Sequence, residues 1–223
     1  MFTKIQNAIL ERTSAFVQSK LILFESGHDW WHTWRVLKLA SYLAQKENAD
    51  AFVCSLAALL HDVSDQKFTE IRNDTGVFVI EKYLTDLNLD KSTRNIILYI
   101  VENISFGTGL SVKLNKSIEF QVVQDADMLD AIGAIGIART FNYGGFRNRL
   151  IHFPGSSPIV YSSTEAYRKS DSTTIMHFYE KLLSLKSLMN TKTALAIAIK
   201  RHQYMVDFLN MFLFEWDEFP ELD

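Results

Sequence analysis

The sequence predicts an all-α fold, and three observations carry that prediction. Apolar residues recur at helical spacing along almost the whole chain. Glycine and proline are scarce, nine and three among 223 residues, so little interrupts long helices. Hydrophobic residues make up 48% and charged residues 22%, a balance that excludes disordered and collagen-like classes and provides for a substantial core. The length suits one large domain with at most a modest appendage.

A first helix is expected from about Thr3 to Phe24, with Ile5, Ile9, Phe16 and Leu23 among its apolar positions. Ser26-Gly27-His28-Asp29 opens a second helix, with Ser26 as cap and Asp29 placed like a capping-box acid. Val36, Leu39, Ala40 and Leu43 share one face of it, and His32 falls on that face four residues before Val36. Asn48-Ala49-Asp50 makes a turn and cap before a short, very apolar helix that ends near His61-Asp62-Val63. Further helices fit Asp74 to Leu87, Ser92 to Asn103 and Ser117 to about Asn142, the last stopped by Gly144-Gly145. Residues 145–170 are loop-rich, with Pro154, Gly155 and Pro158 among several aromatics, and read equally as a lid or as a plain connection. Two long helices, Ser172 to Met189 and Thr191 to Phe214, form a C-terminal helical pair. With no repeat and no low-complexity tract, residues 1–223 are expected to form a single domain.

The formal net charge of -3 leaves no global basic field for nucleic acid, whereas a small chelated anion needs only a local positive site. The one cysteine, Cys54, excludes an intramolecular disulfide and lies in an apolar run, where a buried core thiol is expected. No signal peptide and no bilayer-length apolar run is visible, so the expected location is the cytoplasm, without membrane attachment.

Chemistry concentrates at three places. His61-Asp62 ends an apolar helix after Ala57-Ala58-Leu59-Leu60, where an unpaired charge would be costly to bury and a partner or metal is needed. His28 and His32 lie one helical turn apart upstream. Gln124-Asp125-Ala126-Asp127-Met128-Leu129-Asp130 places three carboxylates in an otherwise apolar helix, against the poor helix propensity of aspartate. Imidazole and carboxylate together suit Mn²⁺, Fe²⁺, Co²⁺, Ni²⁺ or Zn²⁺ better than Ca²⁺, which prefers all-oxygen shells; Mn²⁺ is the ion expected, with Mg²⁺ among the alternatives. Four protein donors on an octahedral ion leave positions for water and for a substrate oxygen, the arrangement of a Lewis-acid hydrolase without a covalent nucleophile.

His32-Thr33-Trp34-Arg35-Val36, Leu59-Leu60-His61-Asp62-Val63 and Asp125-Ala126-Asp127 together resemble the successive motifs of the HD-domain metal-dependent phosphohydrolase superfamily. The stretch Val123 to Arg139, with His177-Phe178-Tyr179-Glu180-Lys181 and Arg201-His202, is similar to one bacterial subgroup of it. The resemblance covers about His28 to Trp216. It implies an all-α HD-domain bundle with His32, His61, Asp62 and Asp127 as metal ligands. It further implies hydrolysis of nucleoside or deoxynucleoside triphosphates to monophosphate and pyrophosphate. Met128 stands where the subgroup commonly has Arg, which bears on phosphate preference. A catalytically silent metal- or nucleotide-binding regulatory module is the alternative.

Around these ligands, Asp62, Asp65 and His28 form the expected catalytic group. His28 contacts substrate or donates a proton, and Asp65 positions the attacking water or binds Lys67, which in turn meets a phosphate. Asp29 reads either as a helix cap or as a functional acid beside His28. Arg35, Arg139, His177, Lys181 and Arg201 are the remaining candidates for phosphate contact, because a chelated triphosphate needs cationic or hydrogen-bonding partners. Asp130, one turn beyond Asp127, could orient a ligand or water, while Asp125 points about 160° away and is expected in a structural salt bridge. Gly133-Ala134-Ile135-Gly136, read as lying inside a helix, is expected to serve close packing and not phosphate binding. Trp30, Trp31 and Trp34 read as core or rim aromatics.

Overall fold

The computed structural model describes residues 2–21, 29–63, 76–104, 114–159 and 172–217. All regular structure among them is helical: α1 (Lys4–Leu21), α2 (Trp30–Lys46), α3 (Ala51–Leu60), α4 (Gly76–Asp86), α5 (Lys91–Asn103), α6 (Ile118–Asp130), α7 (Gly133–Phe146), α8 (Thr174–Glu180), a 3₁₀ segment (Leu182–Leu188) and α9 (Lys192–Asp217). The chain divides into two compact units, residues 1–127 and 128–223, at the last turn of α6. No helix among the described residues is long and apolar enough to cross a membrane.

In the first unit α3 is central. Every residue from Phe52 to Leu60 is buried, and α1, α2 and α5 pack against the helix. Local rules set its start: Asp50 accepts from the Phe52 and Val53 amides at 2.8 and 3.1 Å. Asn48, at φ 56°, ends α2 in the left-handed conformation, and the Ala49 amide bonds back to the Ala44 carbonyl at 3.0 Å. The same Asn-x-Asp device recurs after α4, where Asn88 (φ 54°) ends one helix and Asp90 caps α5 through the Thr93 amide at 3.0 Å. Cys54 is buried, and desolvation, reinforced by Glu119 and Asp50, pushes its thiol far above the ordinary range, as befits an inert core group.

Several boundaries differ from expectation. Asp29, not Ser26, is the N-cap of α2, accepting from the His32 amide at 2.7 Å; Ser26 lies outside the described residues. The single helix expected from Ser117 to Asn142 is two. Gly133 adopts φ 79°, and tight turns from the Ala131 and Ile132 amides to the Met128 and Leu129 carbonyls close α6. Gly133 therefore opens α7 instead of lying within a helix. Gly144-Gly145 does not stop α7, which runs to Phe146 and ends at Asn148 in the left-handed region (φ 53°). The predicted Ser172–Met189 helix breaks at Lys181 (φ -138°, ψ -58°) into α8 and the 3₁₀ segment.

In the second unit α9 packs on α7 and on the 3₁₀ segment, and α8 on α7. Phe141, Phe178 and Phe208 meet in a ring cluster with centroids 5.9–6.2 Å apart. Gly144 makes the close approach possible, since a Cβ there would lie 2.3 Å from Thr174 Oγ1.

Candidate metal centre

Three segments of the first unit bring four donors to one place. α2, started by Asp29, presents His32 inward with no exposure. The end of α3 supplies His61 and Asp62, 6% and 7% exposed, and the last turns of α6 supply Asp127, which is half-buried. His32 Nε2 lies 3.3 Å from His61 Nε2, 3.3 Å from Asp62 Oδ2 and 3.4 Å from Asp127 Oδ1. His61 Nε2 lies 3.4 Å from Asp62 Oδ2 and 3.8 Å from Asp127 Oδ1. Donor atoms of His32, His61 and Asp127 are mutually within 4.8 Å, while Asp62 closes on both imidazoles.

The donor chemistry tests whether a cation fits. His61 Nδ1 donates to the Ala58 carbonyl at 2.8 Å, which orients the ring so that Nε2 faces the cluster. Two ring nitrogens and two carboxylate oxygens face one small volume, where positive charge, on the rings themselves or on a cation in place of their protons, balances the carboxylates. Donors about 2.1 Å from a common ion stand roughly 3–3.4 Å from one another. The observed separations are close to that spacing, and the residues fit a divalent ion. Burial would raise the Asp127 carboxyl, but a hydrogen bond from His32 and the charge of both imidazoles outweigh it and hold the group at about 2.

The other predicted site residues separate into groups. His28, Asp65 and Lys67 lie outside the described residues. Arg35 is half-buried on α2. In the second unit, Arg139 Nη1 donates to the buried Asp130 at 2.9 Å, and Arg201 Nη1 donates to the Leu129 carbonyl. Asp130 therefore spans from α6 to α7, and Arg201 binds a carbonyl at the α6 end. Asp125 is fully buried.

His177, in the last turn of α8, feels the charges of Lys181, at the break that follows the helix, and of Arg149, a residue without any distinguishing local pattern. The chain return does the work: the Thr174 and Ile175 amides bond to the Leu150 and Ile151 carbonyls at 2.9 and 3.0 Å. Burial, then the charges of Lys181 and Arg149, depress His177 to about 3, so it is a neutral imidazole near pH 7. The unfolded chain takes up this proton first, at about 6.5, as pH falls. The contribution is thus fully present above about pH 6.5 and is lost progressively toward pH 3, reaching up to about 2 kcal/mol at pH 5. Thermal melts of His177→Gln are expected to show a shallower decline from pH 7.5 to 5 than the parent, by about 4–8 °C. Equal declines would contradict this assignment.

An all-α frame with this donor set defines an HD-superfamily hydrolase, and the chain belongs to the HD superfamily of metal-dependent phosphohydrolases. Residues 30–132 match the HD domain family model. YpgQ of Bacillus subtilis (strain 168) is 38% identical over 200 residues, covering 89% of each chain. Its crystal structure in complex with ADP superposes with a TM-score of 0.74 at 34% identity, covering 96% of this chain and 100% of that one. A Lactobacillus plantarum protein of known structure reaches a TM-score of 0.83 at 37% identity, covering 97% and 99% of the two chains. An HD-superfamily hydrolase from Bacillus thuringiensis gives 0.74 at 40% identity, covering 95% and 98%.

Proposed function

We propose that this protein hydrolyses nucleoside or deoxynucleoside triphosphates to the monophosphate and pyrophosphate, with Mn²⁺ held by His32, His61, Asp62 and Asp127. The convergence of two imidazole nitrogens and two carboxylate oxygens within 3.3–3.8 Å of His32 or His61 carries this reading. The ADP complex of its relative YpgQ supports a nucleotide as ligand.

A divalent ion in such a site acidifies a bound water and polarises a phosphoryl oxygen. The chain's own groups do the rest. The Ala58 carbonyl orients the His61 ring, and Asp62 and Asp127 supply two negative charges that keep the cation in place. In this reading Asp65 orients the attacking water, and His28 contacts substrate or donates a proton to the leaving group. Arg35, Lys67 and Lys181 offer charge to the phosphates, and His177 acts as a neutral hydrogen-bonding group. Arg139 and Arg201 use one guanidinium N–H each on Asp130 and Leu129, which lowers their weight as phosphate contacts.

A nucleotide screen with Mn²⁺, reading phosphate and pyrophosphate separately, tests the proposal. Equimolar monophosphate and pyrophosphate are expected from at least one triphosphate. Release of orthophosphate alone would mean stepwise removal of terminal groups. Tight nucleotide binding without product across several metals would instead identify a silent regulatory module.

A further inference from the structure

Asp127 is held less directly than the other three donors. His61 is oriented by the Ala58 carbonyl, Asp62 follows it at the end of α3, and His32 sits in the capped first turn of α2. Asp127 is half-buried, and among the described residues its carboxylate bonds and pairs only with the two imidazoles. Its place is therefore set by its backbone, and that backbone is the last turn of α6. The last four carbonyls of a helix have no partner farther along it, so such a turn frays unless groups outside the helix hold it.

Two arginines do so. Arg201, on α9, donates through Nη1 to the Leu129 carbonyl, two residues beyond Asp127 in the same helix. A cation at that point also complements the negative end of the helix dipole. Arg139, on α7, donates through Nη1 to Asp130 at 2.9 Å. Asp130 is 2% exposed and closes α6, a place where burial and the helix dipole both act against a carboxylate. Burial lowers the Arg201 guanidinium and the charge of Asp130 acts the other way, so the carboxylate lies in the field of both arginines. Gly133 makes room for this, since a Cβ there would stand 3.0 Å from Cβ and Cγ of Arg201. An aspartate that would weaken the helix end by itself thus becomes the point at which the end is anchored.

We infer, on the metal-binding reading of His32, His61, Asp62 and Asp127, that Arg201 and Arg139 are positioning residues for the metal centre. By holding the last turn of α6 they fix where Asp127 directs its carboxylate. Both arginines then act on metal affinity in the protein without nucleotide, which a phosphate contact would not do.

Titration of the nucleotide-free protein with Mn²⁺, following the free ion by electron paramagnetic resonance, tests this at a temperature where circular dichroism shows each variant folded. Arg201→Gln is expected to weaken Mn²⁺ binding about tenfold or more, the effect of losing a group that orients a ligand. Arg201→Lys keeps a cation and an N–H donor for the Leu129 carbonyl, and should bind Mn²⁺ more tightly than Arg201→Gln. Arg139→Gln combined with Asp130→Asn removes the ion pair without leaving a buried charge alone, and should also weaken binding about tenfold. Parent-like Mn²⁺ affinity in Arg201→Gln or in the double variant, or no gain from lysine, would overturn the inference and leave the metal centre standing. The readout needs no turnover, so a protein that binds Mn²⁺ without hydrolysing nucleotides tests it equally. A parent that binds no Mn²⁺ would overturn the metal-binding reading itself, and the role of the arginines with it.

Discussion

Replacing His61 by alanine is expected to remove metal binding and nucleotide hydrolysis together while leaving the helical fold intact. His61 sits at the C-cap of α3, 6% exposed, with Nδ1 committed to Ala58 and Nε2 turned toward Asp62, Asp127 and His32. Loss of a group that merely supports a ligand costs about 10–100-fold in metal affinity, so losing a ligand should cost more than about 100-fold. Three readouts separate the possibilities. Metal content after dialysis should fall to background, turnover should fall with it, and the rise in melting temperature expected of the parent on adding Mn²⁺ should be absent. Full activity in His61→Ala, or metal stabilisation undiminished, would remove the basis for the metal-dependent reading.

The largest expected stability change is at Gly136. A Cβ there would stand 2.3 Å from the Ala131 carbonyl oxygen and 2.5 Å from its carbon, and both are backbone atoms of the α6–α7 junction. No side-chain rotation relieves such a contact, so Gly136→Ala must displace the junction at a cost of about 3 kcal/mol. For a chain of this size that corresponds to a fall of roughly 6–12 °C in melting temperature. Gly145→Ala in the same helix is the control. Nothing lies within 4 Å of its Cβ, so the better helix propensity of alanine should hold or raise the melting temperature. Similar melting temperatures for the two variants would show that the junction yields.

Much of the first unit was legible because its signals are local. Asp50 is recognisable as a cap from the residues that follow it, and the apolar run 52–60 leaves little alternative to a buried helix. His32 could be placed on the inner face of α2 by counting four residues back from Val36. The errors lie where a long-range contact decided the outcome. The break between α6 and α7 comes at Gly133, at φ 79°, where a Cβ would stand 3.0 Å from the side chain of Arg201, 68 positions away in the chain. Helical periodicity continues across that break, so the apolar pattern runs through it unmarked. Arg149 acts on His177 only because residues 150–151 return to the start of α8, an event that leaves no trace in local composition.

From the sequence alone came the helical class, the family and the four metal-binding candidates, because residue type, order and spacing carry them. Which donor atoms face one another did not follow from spacing. That His61 presents Nε2 depends on the Ala58 carbonyl, and that Asp127 rather than Asp125 meets both imidazoles depends on how α6 is rotated against α2 and α3. The roles of Arg139 and Arg201 likewise awaited their partners, since a guanidinium binds a phosphate, an aspartate or a backbone carbonyl equally well, and only folding decides which one lies within reach.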